Sequence, residues 1–301
     1  MMKRLLLTVM CLGLAVGSKS PAWDVAAKHL EDYRQQRKAC GDEDDLQVLR
    51  LQCMYHHLKD DTLCAESGAR NMAFILALHE KAYRLAETRY SQGLGTLWDV
   101  YETGFYLYHY SESCASLGSD QFRLAPQHLI SLERLKELRQ TLSQTAMAQE
   151  NRERWLKAEI LWLAGMGQDR RKVRAYRAEL LELQRNRYRH GLATYWDVAL
   201  AELDLQEEGL FLPPAEEVLQ RWEKYSQAIS QLYEQMRQAA EASPSYDFSQ
   251  KLCELRLRQM SIERTLSILN AVPSIIVQEV AKEESLSEPP DVNTDSGASL
   301  D

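Results

Sequence analysis

Arg89-Tyr90-Ser91-Gln92-Gly93-Leu94-Gly95-Thr96-Leu97-Trp98-Asp99-Val100 returns 98 residues later as Arg187-Tyr188-Arg189-His190-Gly191-Leu192-Ala193-Thr194-Tyr195-Trp196-Asp197-Val198, with eight of twelve positions identical. Each copy predicts two helices joined by a tight turn. Gly93 and Gly191 stop the first helix, because glycine enters the left-handed conformation without a Cβ penalty. Thr96 and Thr194 open the second, each followed three residues on by an acid, Asp99 or Asp197. That T-x-x-D spacing forms a capping box and places a negative charge in the first turn. Leu94 and Leu192 lie between stop and start. They either pack back on the helices or stand out as contacts.

The repeat extends beyond the turn. Ile75, Leu78, Ala82 and Leu85 precede the first copy at spacings of three and four, and Val173, Tyr176, Leu180 and Leu183 precede the second in the same register. Val100 and Leu107 match Val198 and Leu205 afterwards. This narrow apolar stripe predicts helical hairpins with a coiled-coil-like seam. Capping alone accounts for Gly, Thr and Asp, but not for the repeated Arg-Tyr before the glycine or for the leucine after it.

Composition points the same way. The 301 residues are 45% hydrophobic and 27% charged, with only 13 Gly and 8 Pro, and no segment alternates as a half-buried strand would. The expected fold is all-α, an array of long antiparallel helical hairpins. Met1-Met2-Lys3-Arg4 followed by the apolar run Leu5 to Val16 reads as a secretory signal over residues 1–18, too short to span a bilayer. No later stretch is apolar enough to be a transmembrane helix. The net charge is −8, or −10 once Lys3 and Arg4 leave with the signal, which argues against nucleic-acid binding. Five cysteines remain after cleavage: Cys40, Cys53, Cys64, Cys114 and Cys253. An odd number leaves at least one thiol free or paired between chains. Cys53 and Cys64 flank a predicted loop, His57 to Asp61, and would clamp it.

Along the chain, helices are predicted from Asp24 to Lys38 and from Leu46 to Leu58. Strong hairpins follow at about Ala69 to Cys114 and Asp169 to Glu208, within a helical-hairpin domain over residues 19–270. Pro213-Pro214 opens a further helix that ends before Ser243-Pro244-Ser245. The last helix runs from about Asp247 to Leu269. Gln127 to Ala164 carries no Gly or Pro and fits either one long helix or a hairpin turning near Gln149-Glu150-Asn151. The second alternative would make the strong turns alternate members of a degenerate array with a period of about 50 residues, with weak copies at Leu49-Arg50-Leu51-Gln52-Cys53 and Leu252-Cys253-Glu254-Leu255-Arg256-Leu257. Residues 271–301, rich in Glu, Ser, Pro and Asp, are an expected disordered acidic tail.

The turn resembles that of the TolC-like outer-membrane factors, the exit ducts of bacterial efflux and secretion systems. Their helical hairpins end in approximately Arg-Tyr-x-x-Gly-Leu-x-Thr-x-x-Asp-Val, matched here at Arg89 to Val100 and at Arg187 to Val198. The resemblance covers the helical hairpins only, since the residues between the two turns leave no room for barrel strands. It implies a partner surface for a periplasmic adaptor or another envelope protein at Tyr90, Gly93, Leu94, Tyr188, Gly191 and Leu192, with Thr96, Asp99, Thr194 and Asp197 as capping residues. It also implies a place in the periplasm or at the periphery of the outer membrane, with homo-oligomer formation as a further expectation.

No catalytic constellation is expected. Seven histidines are scattered, and neither His56-His57 nor His79-Glu80 has a second ligand at metal spacing in the sequence. No cofactor or metal site is predicted. The run Tyr101, Phe105, Tyr106, Tyr108 and Tyr110 reads as helix packing or an oligomer seam, and Arg170-Arg171-Lys172 as a solvated helix start. The expected function is that of an exported, non-catalytic component or accessory of an envelope transport assembly. The alternative is a stand-alone periplasmic scaffold whose turns are only well capped.

Overall fold

A computed structural model describes residues 21–40, 45–60, 65–116, 130–145, 149–167, 169–210, 217–243 and 245–271. The expected signal and all but one residue of the expected tail lie outside them, as does Cys64. The described residues form ten helices and no strand: α1 (Pro21–Ala39), α2 (Leu46–Asp60), α3 (Ala65–Ser91), α4 (Leu97–Ser116), α5 (Leu132–Thr145), α6 (Gln149–Gly165), α7 (Arg170–Arg189), α8 (Tyr195–Glu207), α9 (Val218–Ala242) and α10 (Tyr246–Ala271). The all-helical expectation holds.

Local chemistry sets many of the starts. Asp45 accepts from the Gln47 N–H at 2.6 Å, Ser131 from the Arg134 N–H at 3.1 Å, and Asp169 from the N–H groups of Arg171 and Lys172. Each satisfies orphan donors that a helix start leaves open. The stripes are equally local in origin. On α9 the buried residues Val218, Trp222, Tyr225, Ile229, Leu232 and Met236 alternate spacings of four and three, the seam of a coiled-coil-like packing.

Two expectations are corrected. The loop expected at His57 to Asp61 is helical through Asp60, and on this helix Tyr55 and Leu58 pack against residues of α1 and α10. Cys53 is a buried free thiol, so it clamps no loop. Of the two alternatives for Gln127 to Ala164, a pair of helices is the one present. Arg139 on α5 donates from Nε and Nη2 to the two carboxylate oxygens of Glu159 on α6, at 2.6 and 2.7 Å, across a sequence separation of 20.

Neighbours in sequence pack on each other, and three further contacts organise the rest: α4 lies against α6, and α10 lies against both α1 and α2. The main core joins α2 through α7 around Tyr101, Leu107, Leu135 and Leu156. A second joins α8, α9 and α10 around Ile229, Met236 and Leu255. A third places Ala26, Leu30 and Tyr33 of α1 with Val48 and Leu51 of α2 and Cys253, Leu257 and Met260 of α10. Helix α4 runs in the same direction as α6: the Tyr101 hydroxyl donates to the Ala158 carbonyl at 3.3 Å, and a Cβ on Gly165 would meet the Phe105 ring. Arg187 in the last turn of α7 pairs with Glu153 near the start of α6. The turns at residues 92–96 and 190–194 therefore stand at the same end of the bundle.

Candidate functional site

Both turns are built by the same short-range bonds. Gly93 and Gly191 hold φ at 72° and 70°, the left-handed region where a side chain is strained. Their N–H groups donate to the Tyr90 and Tyr188 carbonyls at 3.0 Å, and the next N–H, of Leu94 or Leu192, donates to Arg89 or Arg187 at 2.8 Å. The last carbonyls of α3 and α7 are thus satisfied within the turn. The capping boxes close on the other side. Asp99 Oδ2 accepts from the Thr96 N–H at 3.0 Å and from its hydroxyl at 2.7 Å; Asp197 Oδ2 accepts both from Thr194 at 2.7 Å. Each threonine oxygen accepts in return from its aspartate's N–H at 3.3 Å.

With backbone groups satisfied internally, the turns present side chains. Leu94 is 73% exposed and Leu192 69%, the highest values of any large apolar residue among the described residues. Tyr90, Tyr188 and Tyr195 are about half exposed beside them. Of the two readings of the leucines, packing back or standing out, the second describes their position. Exposed apolar side chains on a rigid, hydrogen-bonded frame suit recognition, because little conformational entropy is lost on contact.

Each turn is also tied to a helix outside its own pair, and sequence reasoning did not find these ties. Arg50 on α2 reaches Asp99 at 3.7 Å and also pairs with Glu102. Lys251 on α10 reaches Asp197 at 2.9 Å and Asp247 at 2.8 Å. Burial works against the Asp197 carboxylate, but hydrogen bonds from Thr194 and Lys251 bring it below the usual range. Farther from the turn, Asp204 takes Arg258 at 2.5 Å and Arg177 at 3.2 Å. Burial would raise the Asp204 carboxyl, and the two guanidinium groups override it and hold it low. Arg50 lies in one of the two weak sequence copies and Lys251 immediately precedes the other. A search for cations near the starts of those copies would have found both.

The expected aromatic run divides. Tyr101 and Phe105 are core residues, whereas Tyr106 is 41% exposed. Among the described residues, no group of three or more His, Cys, Asp or Glu side chains is placed to hold a metal ion, and no helix is long and apolar enough to cross a membrane. No family model matches the chain, nor does any curated protein or solved structure.

Proposed function

We propose that the chain is an exported, TolC-like array of helical hairpins that acts as a non-catalytic component or accessory of an envelope efflux or secretion assembly. It docks a periplasmic adaptor or another envelope protein through the turns at Leu94 and Leu192. One observation carries this reading: two copies of the same rigid turn stand at one end of the bundle, and each exposes a leucine that its own fold does not use. The repeated Arg-Tyr and Gly-Leu pairs, which capping does not require, add to it. The second reading, a stand-alone periplasmic scaffold, keeps the same hairpins and gives the turns no partner.

Photo-crosslinkers placed at residues 94 and 192 separate the two. The expected result is capture of the same envelope protein from both positions, and loss of docking in the Leu94→Glu, Leu192→Glu chain. Its stability should change by no more than about 0.5 kcal/mol, as for surface substitutions generally. Absence of a common partner, with export and folding intact, would overturn the docking reading. Fractionation with size-exclusion chromatography tests the assembly: an oligomer in the outer-membrane fraction is expected, and a soluble monomer removes the role as a duct component.

A further inference from the structure

The five even-numbered helices face one another. Arg50 on α2 pairs with Glu102 on α4, and two turns on His57 meets the Tyr110 ring with centroids 4.6 Å apart, so α2 and α4 run in the same direction. Lys251 with Asp197 and Arg258 with Asp204 set α10 parallel to α8 in the same way. Helix α4 is parallel to α6, and α10 closes on α2. Each of α3, α5, α7 and α9 packs on the even-numbered helix before it and the one after it. The result is a ring of hairpins whose inner wall is α2, α4, α6, α8 and α10.

Polar chemistry gathers on that wall. On α2, Leu49 and Cys53 enter the main core and Val48 and Leu51 the third. The sector between them carries Arg50 and, one turn on, Met54, which is 36% exposed. On α4, Val100 and Leu107 are buried on one side and Tyr101 and Phe105 on the other; between them stand Glu102 and, one turn on, Tyr106, which is 41% exposed. Electrostatic contacts cross the ring. Lys157 on α6 acts on Glu102 of α4 and on Asp204 of α8. Tyr106 feels Glu254 on α10 and Arg177 on α7, helices that do not neighbour α4 in the ring. Tyr106 is thus wet and surrounded at once: solvent touches it, yet burial pushes its hydroxyl up. Glu207 on α8 is exposed as well, and burial raises its carboxyl. A side chain on an outer surface shows the first property without the second.

We infer that the five inner helices enclose a solvent-filled lumen along the ring axis, and that this lumen takes small organic cations in preference to anions. The preference follows from charge. Arg258 is held by Asp204 at 2.5 Å and Glu254 at 2.9 Å, Arg177 by Asp204 at 3.2 Å and Glu208 at 2.8 Å, and Arg50 by Asp99 at 3.7 Å and by Glu102. Glu207 acts on Arg177 and Arg258 besides. With Lys157 counted, six carboxylates face four cations among the described residues. Each guanidinium already shared by two carboxylates is a poor partner for an anion. Low-dielectric walls focus the field of the acidic surplus along the axis, and the accessible Tyr106 ring adds a face that attracts cations.

The parent chain and two variants test this. Methylammonium chloride added to the parent should shift the Tyr106 ring signals, and sodium acetate at the same ionic strength should leave them in place. Tyr106→Cys and Met54→Cys are compared with Phe74→Cys on the outer helix α3, where the parent side chain is 48% exposed. Intact mass counts the adducts, with the parent chain as blank. After normalisation to Phe74→Cys, the aminoethyl methanethiosulfonate should modify the two lumen thiols about tenfold faster than its sulfonatoethyl counterpart. A polyethylene-glycol maleimide should modify Phe74→Cys alone. An equal or faster reaction with the anionic reagent, polymer labelling at position 54 or 106, or no labelling there by either small reagent overturns the lumen. If the variants fail to fold, the parent titration decides alone: Tyr106 signals unmoved by methylammonium, or moved as far by acetate, overturn it.

Discussion

The two turns share a backbone and differ in what stands behind them. At Gly93 and Gly191 the φ angles differ by two degrees, and the capping bonds agree to within a few tenths of an ångström. One residue past the shared Val, the copies part. Tyr101 is fully buried and bonds to the Ala158 carbonyl, whereas its counterpart Ala199 contributes one methyl group to the core of α8 to α10. The anchors differ too: Arg50 comes from a helix that precedes its turn and Lys251 from a helix that follows. Short-range chemistry has kept the turn the same in two places, while packing and ion pairing have been solved separately in each.

The largest break in that likeness should come at Tyr101. Tyr101→Ala gives the first copy the residue of the second and should cost about 3–5 kcal/mol. Ala199→Tyr, the reverse exchange, should cost about 1–3 kcal/mol by overpacking. Denaturant unfolding of both variants measures this, and equal small losses would mean that the two contexts are interchangeable.

Acid should distinguish the two regions next. Unfolded His79 takes a proton near 6.5, while the folded residue resists to about 3. The unfolded chain then binds more protons, so the contribution is complete above about 6.5 and is lost as the pH falls towards 3. At pH 4 the loss from His79 is about 3 kcal/mol. The α8 to α10 region leans instead on Asp197 and Asp204, both held below 3.8, and gives way only below that value. Amide exchange at pH 4.5 should therefore quicken in α2 to α4 before α8 to α10, and His79→Phe should reduce the difference, His57, lowered by burial to about 4, leaving the remainder.

Asp99→Ala and Asp197→Ala come third, at about 1–2 kcal/mol each from the lost cap. Asp197→Ala should be the costlier, since its cation contact is 2.9 Å against 3.7 Å at Asp99. The smallest effect is expected at Gly95, where a Cβ would come within 3.0 Å of the Arg89 Cβ. The second copy carries Ala193 at that place, so Gly95→Ala should cost well under the roughly 1 kcal/mol of Gly93→Ala, whose φ is positive. Thermal unfolding of the four variants ranks them.

What was legible in the sequence is what acts over a few residues. Gly93, Thr96 and Asp99 interact within seven positions, so their pattern survives in one dimension, as does the three-and-four stripe of α9. The split between α5 and α6 falls in a stretch without Gly or Pro, where local preference favours continuing, and the Arg139–Glu159 grip across the split is a tertiary feature. Arg50 and Lys251 act on helices far away in sequence, and the His57–His79 pair crosses between two successive helices, with no period to announce any of them. The histidines looked unpartnered because the second ring arrives from the neighbouring helix.

The contact of α10 with α1 and α2 bears on how the chain can come into being. Helix α1 is completed by residues more than two hundred positions away: His29 meets the Tyr233 hydroxyl at 2.7 Å across 204 residues, and the Tyr33 hydroxyl bonds to Gln250 across 217. At synthesis rates of about 5–20 residues per second, the apolar face of α1 waits roughly 10–40 seconds for its cover. The first of the described helices to be made is thus among the last to be placed. A chain emerging end-first, from a ribosome or through a translocation pore, must carry uncovered the part of that face that α2 does not cover until α10 follows it out.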